Sequence, residues 1–176
     1  MIRLVALLAC LNSSMAIAEI PAVYSQVAAQ HQVPALLLYA VCLQEAGRQV
    51  NGHFHPWPWT VNIQGQGHYL DSAESALAVV NSALENTCRV DIGLCQIHWC
   101  AHAQSFTAPA DALHPHVNLH YAASILRREY EFTVNQGTPS WWLAVGRYHH
   151  PSNHSLASAY RQRVYQRWLP LAQVSP

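Results

Sequence analysis

The chain has 176 residues, of which 51% are hydrophobic and 10% charged, so it carries enough apolar side chain for one packed domain and does not read as disordered. Its nine basic residues are all arginine and are balanced by nine acidic ones. No basic field points to nucleic acid and no basic cluster points to a membrane surface, while twelve histidines make the charge pH-dependent below about pH 6.5.

The first segment reads as an export signal. Met1-Ile2-Arg3 is a short positive start, Leu4 to Leu11 is apolar, and Ala16-Ile17-Ala18 is a small-residue cleavage site. Residues 1–18 are therefore expected to be removed, leaving residues 19–176 as one exported domain, periplasmic and without a membrane span. Loss of Cys10 leaves Cys42, Cys88, Cys95 and Cys100. Four cysteines in an oxidising compartment suggest one or two disulfides, and three complete pairings are possible.

Ile20 to Gln32 reads as a first helix, and Pro34 opens a second in its favoured N-terminal place. The second helix is apolar along its length and ends at Glu45-Ala46-Gly47, with Gly47 expected as its stop. A carboxylate near a helix C-terminus meets an unfavourable dipole and, on an apolar helix, little water. Both effects raise the pKa of Glu45 and suit it to general-acid catalysis, whereas on a solvated helix edge it would do nothing. Trp57 to Leu70, broken by Gln64-Gly65-Gln66-Gly67, suggests a small β-hairpin. Asp71 and Ser72 then cap a helix, with Glu74 completing a capping box. Further helices are expected around Leu119 to Tyr130, Trp141 to Tyr148 and Ser155 to Trp168. In the last of these, Val164, Tyr165 and Trp168 are expected to pack inward while the arginines remain solvated. The order of elements gives an α+β fold, mainly helical, with a small β-hairpin.

Three segments carry the chemistry in order: Glu45-Ala46-Gly47, Gly93-Leu94-Cys95-Gln96-Ile97, and Ala144 through Tyr148-His149. In this order they resemble the catalytic domain of soluble lytic transglycosylases, a lysozyme-like fold acting on peptidoglycan. The stretch Trp57-Pro58-Trp59 with its hairpin resembles the subgroup associated with conjugation and integrative elements. The likeness spans most of residues 25–168. It departs from the family at Ala46, where a serine is usual, at Cys95, where methionine is usual, and at His149, where asparagine is usual. These departures bear on rate and specificity more than on reaction class.

The resemblance implies that Glu45 is the catalytic acid and that Tyr148 hydrogen-bonds it. It implies that Gly93 and Gln96 border the cleft, with backbone groups at Leu94 and Cys95 gripping sugar amides. Trp57, Trp59 and Trp99 are candidates for stacking on sugar rings, and His149 for substrate contact. Each has a plainer reading: a half-buried tyrosine, a turn glycine, core tryptophans. Asp71 and Glu74 read as caps, Glu129 and Glu131 as partners of Arg127 and Arg128, and Asp91 as orienting the Gly93 turn.

A lone acid suffices where the substrate supplies the nucleophile, as when the C6 hydroxyl of N-acetylmuramic acid closes on its own anomeric carbon. The expected activity is therefore non-hydrolytic cleavage of the MurNAc-GlcNAc β-1,4 bond to 1,6-anhydro ends, for local wall opening by a conjugation, pilus or secretion apparatus. Lysozyme-type hydrolysis and a non-catalytic wall-binding role are the alternatives. No cofactor is implied. His53-Phe54-His55 and His149-His150 lack a complete ligand set, so no metal is expected.

Overall fold

The computed structural model describes residues 20–174; the expected export signal and its cleavage site lie outside them. Helix α1 (Ala22–His31) ends where Gln32 takes a left-handed conformation, φ 54°, and its N–H returns to the helix. Helix α2 (Ala35–Ala46) follows Pro34. Leu37 to Leu43 are all buried, which marks α2 as a core helix rather than an amphipathic one.

Gly47 ends α2 as expected, though not in the left-handed conformation common at helix stops. It is extended, φ −61° and ψ 126°, and passes directly into strand β1 (Gly47–Val50). Glycine is required by space: a Cβ would collide with the Phe54 ring and the Leu43 carbonyl. β1 pairs antiparallel with β2 (His53–Pro56), a ribbon that the sequence reading missed. The expected hairpin is β3 (Thr60–Ile63) and β4 (Gln66–Tyr69), joined through Gln64 and Gly65 at φ 52° and 93°, as a type I′ turn requires. It extends into a four-stranded antiparallel sheet of order β4-β3-β5-β6 by adding β5 (Val90–Ile92) and β6 (Ile97–His98).

Helix α3 (Ala73–Leu84) is capped by Ser72, whose side chain accepts from the Ser75 N–H while Ser75 answers with its own hydroxyl. The reciprocal box expected from Asp71 and Glu74 thus sits one residue later. Short helices α4 (Trp99–His102) and α5 (Pro109–Leu113) lead to α6 (Pro115–Asn135), α7 (Trp141–His149) and α8 (His154–Val174). The fold is mainly helical with a small antiparallel sheet.

Two apolar clusters hold the molecule together. The larger joins α1, α2, α6, α7 and α8 around Leu38, Val41, Leu119, Leu126, Val145, Tyr160 and Val164. The smaller packs the sheet on α3 and α5 through Val61, Val80, Val90, Ile92 and Leu113. Each such side chain contributes about 1.5–3 kcal/mol on removal from water. In α8, Val164 is buried as expected and Trp168 packs against the core, but Tyr165 is 40% exposed and Tyr160 takes the inward place.

Disulfides join Cys42 to Cys95 and Cys88 to Cys100. The first ties the core helix α2 to the loop between β5 and β6. The second ties the entry of β5 to α4. No helix among the described residues is long and apolar enough to cross a membrane.

Candidate functional site

Glu45 sits in the last turn of α2, and its carboxyl faces a cleft of about 530 Å³. Asp91, Gln96, His98, His102, Tyr148, His149 and His150 line the same cleft, with Arg89 on its wall. Residues from α2, the β5–β6 loop and the end of α7 thus converge, as the order of the three segments suggested.

The phenol of Tyr160 donates a 2.5 Å hydrogen bond to Glu45 Oε1. Removal from water raises the Glu45 carboxyl from 4.5 to about 7. The Tyr160 bond opposes that rise, the charge of Asp91 adds to it, and the charge of Arg163 lowers it. The carboxyl is therefore divided between protonated and ionised forms at neutral pH. Burial, and then the neighbouring Glu45 charge, push the Tyr148 and Tyr160 hydroxyls well above the ordinary phenol value, so both remain proton donors.

The hydrogen bond expected from Tyr148 to Glu45 is made elsewhere. Tyr148 lines the cleft, but its hydroxyl donates to the Cys95 carbonyl at 2.8 Å. Tyr160, one turn before Val164 on the buried face of α8, occupies the place beside the acid. Tyr160 lies in the helix expected over Ser155 to Trp168, for which Val164, Tyr165 and Trp168 were the expected inward residues; its spacing of four from Val164 was the signal available.

The Gly93-Leu94-Cys95-Gln96 segment forms the turn from β5 to β6. Gly93 has φ 79° and Gln96 φ 51°. A Cβ at Gly93 would lie 2.7 Å from Asn118 Nδ2, so conformation and space both call for glycine. Gln96 borders the cleft as expected, and its amide is committed to the loop, donating to the carbonyls of Thr60 and Gly93. Leu94 and Cys95 are buried. The Cys95 N–H donates to Asn118 Oδ1 at 2.9 Å and its carbonyl accepts from Tyr148. Cys95 therefore braces the loop instead of offering its backbone to a sugar. Asn118, fully buried on α6, also donates to the carbonyls of Ile92 and Ala112. Nothing in the sequence singled it out.

Asp91 and His98 face each other across β5 and β6, and His98 Nδ1 meets Asp91 Oδ1 at 2.6 Å. Asp91 is thus a second carboxylate on the cleft wall and not only a turn residue. His149 stacks flat on Tyr160, centroids 4.4 Å apart. Burial, and then the charges of Arg163 and His150, hold its imidazole below the usual value.

The tryptophans lie away from this cleft. Trp57 donates its indole N–H to the Leu70 carbonyl and packs under the Arg48 guanidinium. Trp59 and Trp99 pack against the smaller core, Trp99 stacked on Phe106. None of the three is among the lining residues, so their plainer, structural reading describes their positions. His53 and His55 lie on the β1–β2 ribbon. Among the described residues no group of three or more histidine, cysteine, aspartate or glutamate side chains is arranged to hold a metal ion.

No family model matches the chain, and no match was found among curated proteins or among solved structures.

Proposed function

We propose that the protein is a peptidoglycan lytic transglycosylase with Glu45 as its acid. The observation that carries this reading is one carboxyl raised to about 7 by burial, bonded to Tyr160, facing a cleft large enough for a sugar. Protonated Glu45 delivers its proton to the glycosidic oxygen as the bond from that oxygen to the muramyl anomeric carbon breaks. Tyr160 continues to donate to the carboxyl and supports the charge left on it. The carboxylate then takes the proton from the muramyl C6 hydroxyl, whose oxygen bonds to the anomeric carbon. The product is a 1,6-anhydro sugar, no water is consumed, and Glu45 ends protonated. The substrate's N-acetyl group stabilises the oxocarbenium-like state in place of a second carboxylate.

Two disulfides are compatible with an exported protein, in this proposal a periplasmic one. Opening the wall locally for a conjugation, pilus or secretion apparatus rests on the sequence resemblance alone.

Hydrolysis in the manner of a lysozyme is a second reading, favoured by Asp91 on the same cleft wall, because a second carboxylate can activate water. Digestion of sacculi followed by mass spectrometry of the muropeptides separates the two. Anhydro ends are expected, and ends heavier by one water would establish hydrolysis. Glu45→Gln is expected to reduce release by at least the ~10²–10⁴-fold typical of losing a general acid. Equal solubilisation by the variant would rule out Glu45 as the acid, and no release by either protein would leave only a wall-binding role.

A further inference from the structure

Arg89 stands apart from the other described arginines. Arg48 pairs with Asp71, Arg127 with Glu131, and Arg128 and Arg147 with Glu129. The guanidiniums of Arg161 and Arg167 donate to Ser158 and Gln44, and that of Arg163 lies over the Tyr160 ring. Arg89 alone among them has a guanidinium with no ion pair, hydrogen bond or ring contact to another described residue, yet it lines the Glu45 cleft.

Its backbone is fixed. The neighbouring Cys88 is bonded to Cys100, the Arg89 carbonyl accepts from Gln64 at 3.0 Å, and its N–H donates to Thr87 Oγ1 at 3.1 Å. Val90, next in the chain, is fully buried in the sheet. Of the two carboxylates that line the cleft, Asp91 is already engaged by His98. An unpaired cation on an anchored stretch of backbone, lining a cleft whose other acid is half-neutral at pH 7, favours a ligand that brings its own negative charge.

We propose that Arg89 is an anion-binding position on the cleft wall that receives a carboxylate carried by the muramyl residue of the substrate. This rests on the transglycosylase reading and deepens it by naming a charged substituent as part of what the site recognises. Two sources offer that chemistry: the lactyl group itself and the peptide stem attached to it.

The test measures kcat/KM for the wild type, Arg89→Gln and Arg89→Lys on three glycan preparations. The first bears stems. The second has been stripped by an amidase and keeps the lactyl carboxylates. The third is the stripped material with those carboxylates converted to neutral amides. Arg89→Gln is expected to lose about fivefold on carboxylate-bearing strands, the scale of an exposed ion pair, and nothing on the neutral ones. Arg89→Lys should recover part of the loss, and added salt should shrink it. The stem's amide bond uses up the lactyl carboxyl in the first preparation, so a loss on the stripped strands alone assigns the lactyl carboxylate, a loss on stem-bearing strands alone assigns the stem, and a loss on both means that either carboxylate is received. An equal loss on all three, or none on any, overturns the inference while the transglycosylase reading stands. If the wild type turns over none of the three, both fall together. Because the Arg89 side chain is exposed and unpartnered, the variants should match the wild type in thermal unfolding, and a lowered midpoint would count against a purely recognitive role.

Discussion

Two tyrosines share the pocket around Glu45, and only one of them touches it. Tyr160 donates to the carboxyl, while Tyr148 donates to Cys95 one loop away. The two should therefore separate in a pH profile. A general acid works while it holds its proton, so activity should fall as pH rises through about 7. Tyr160→Phe removes a donor that favours the ionised form and should move that limb to higher pH. Tyr148→Phe should leave the limb in place and act on rate alone. Stability follows the same proton. The folded state binds it more tightly than a free chain does, with a pKa of about 7 against 4.5, so stability contributed by protonated Glu45 is lost as pH rises across that interval. Glu45→Gln has no such loss and should gain on the wild type by at most about 3 kcal/mol at pH 8, read from urea midpoints at pH 4 and pH 8. Glu45 was legible because a lone acid closes an otherwise apolar helix. Tyr160 was not, because the arginines that follow it at 161, 163 and 167 make the segment read as a polar face.

The β5–β6 turn shows how an element is made rigid enough to border a site. One buried side chain, Asn118, satisfies the Cys95 N–H and the carbonyls of Ile92 and Ala112. Its amide also fills the space that only glycine at position 93 leaves free. Asn118→Ala would strand several buried polar groups, and a cost of about 3 kcal/mol or more is expected, measured by chemical denaturation. Activity should fall further than stability, since Gln96 and the Tyr148 acceptor ride on the same turn. Helices were the easier part of the sequence because their apolar period is local. The strands β1, β2, β5 and β6 have two to four residues each, too few to display alternation; β1 and β2 pair only with each other, and β5 brings β6 into the sheet by pairing with β3 far earlier in the chain. The glycine at 47 was read as a helix stop on the usual rule. Its cause is the Phe54 ring, which reaches it only after β2 folds back.

At the scale of the molecule, the Cys42–Cys95 bond joins the helix that carries the acid to the turn that faces it. It spans 53 residues against 12 for Cys88–Cys100. In the chain-entropy account the longer loop contributes about 4 kcal/mol and the shorter about 3. Replacing Cys42 and Cys95 by alanine should lower the unfolding midpoint more than replacing Cys88 and Cys100, in calorimetry of the two double variants. It should also depress activity, because the cleft then relies on packing alone for its width. The sequence by itself determined the helical order, the apolar core helix ending in Glu45, the turn built on Gly93 and the supply of four cysteines, since each is written in local pattern and residue type. Only tertiary structure decided which cysteines pair, which tyrosine bonds the acid, that Asp91 shares its cleft and that the tryptophans do not. Those are choices among chemically similar side chains, and distance in space, which local pattern does not encode, is what separates them.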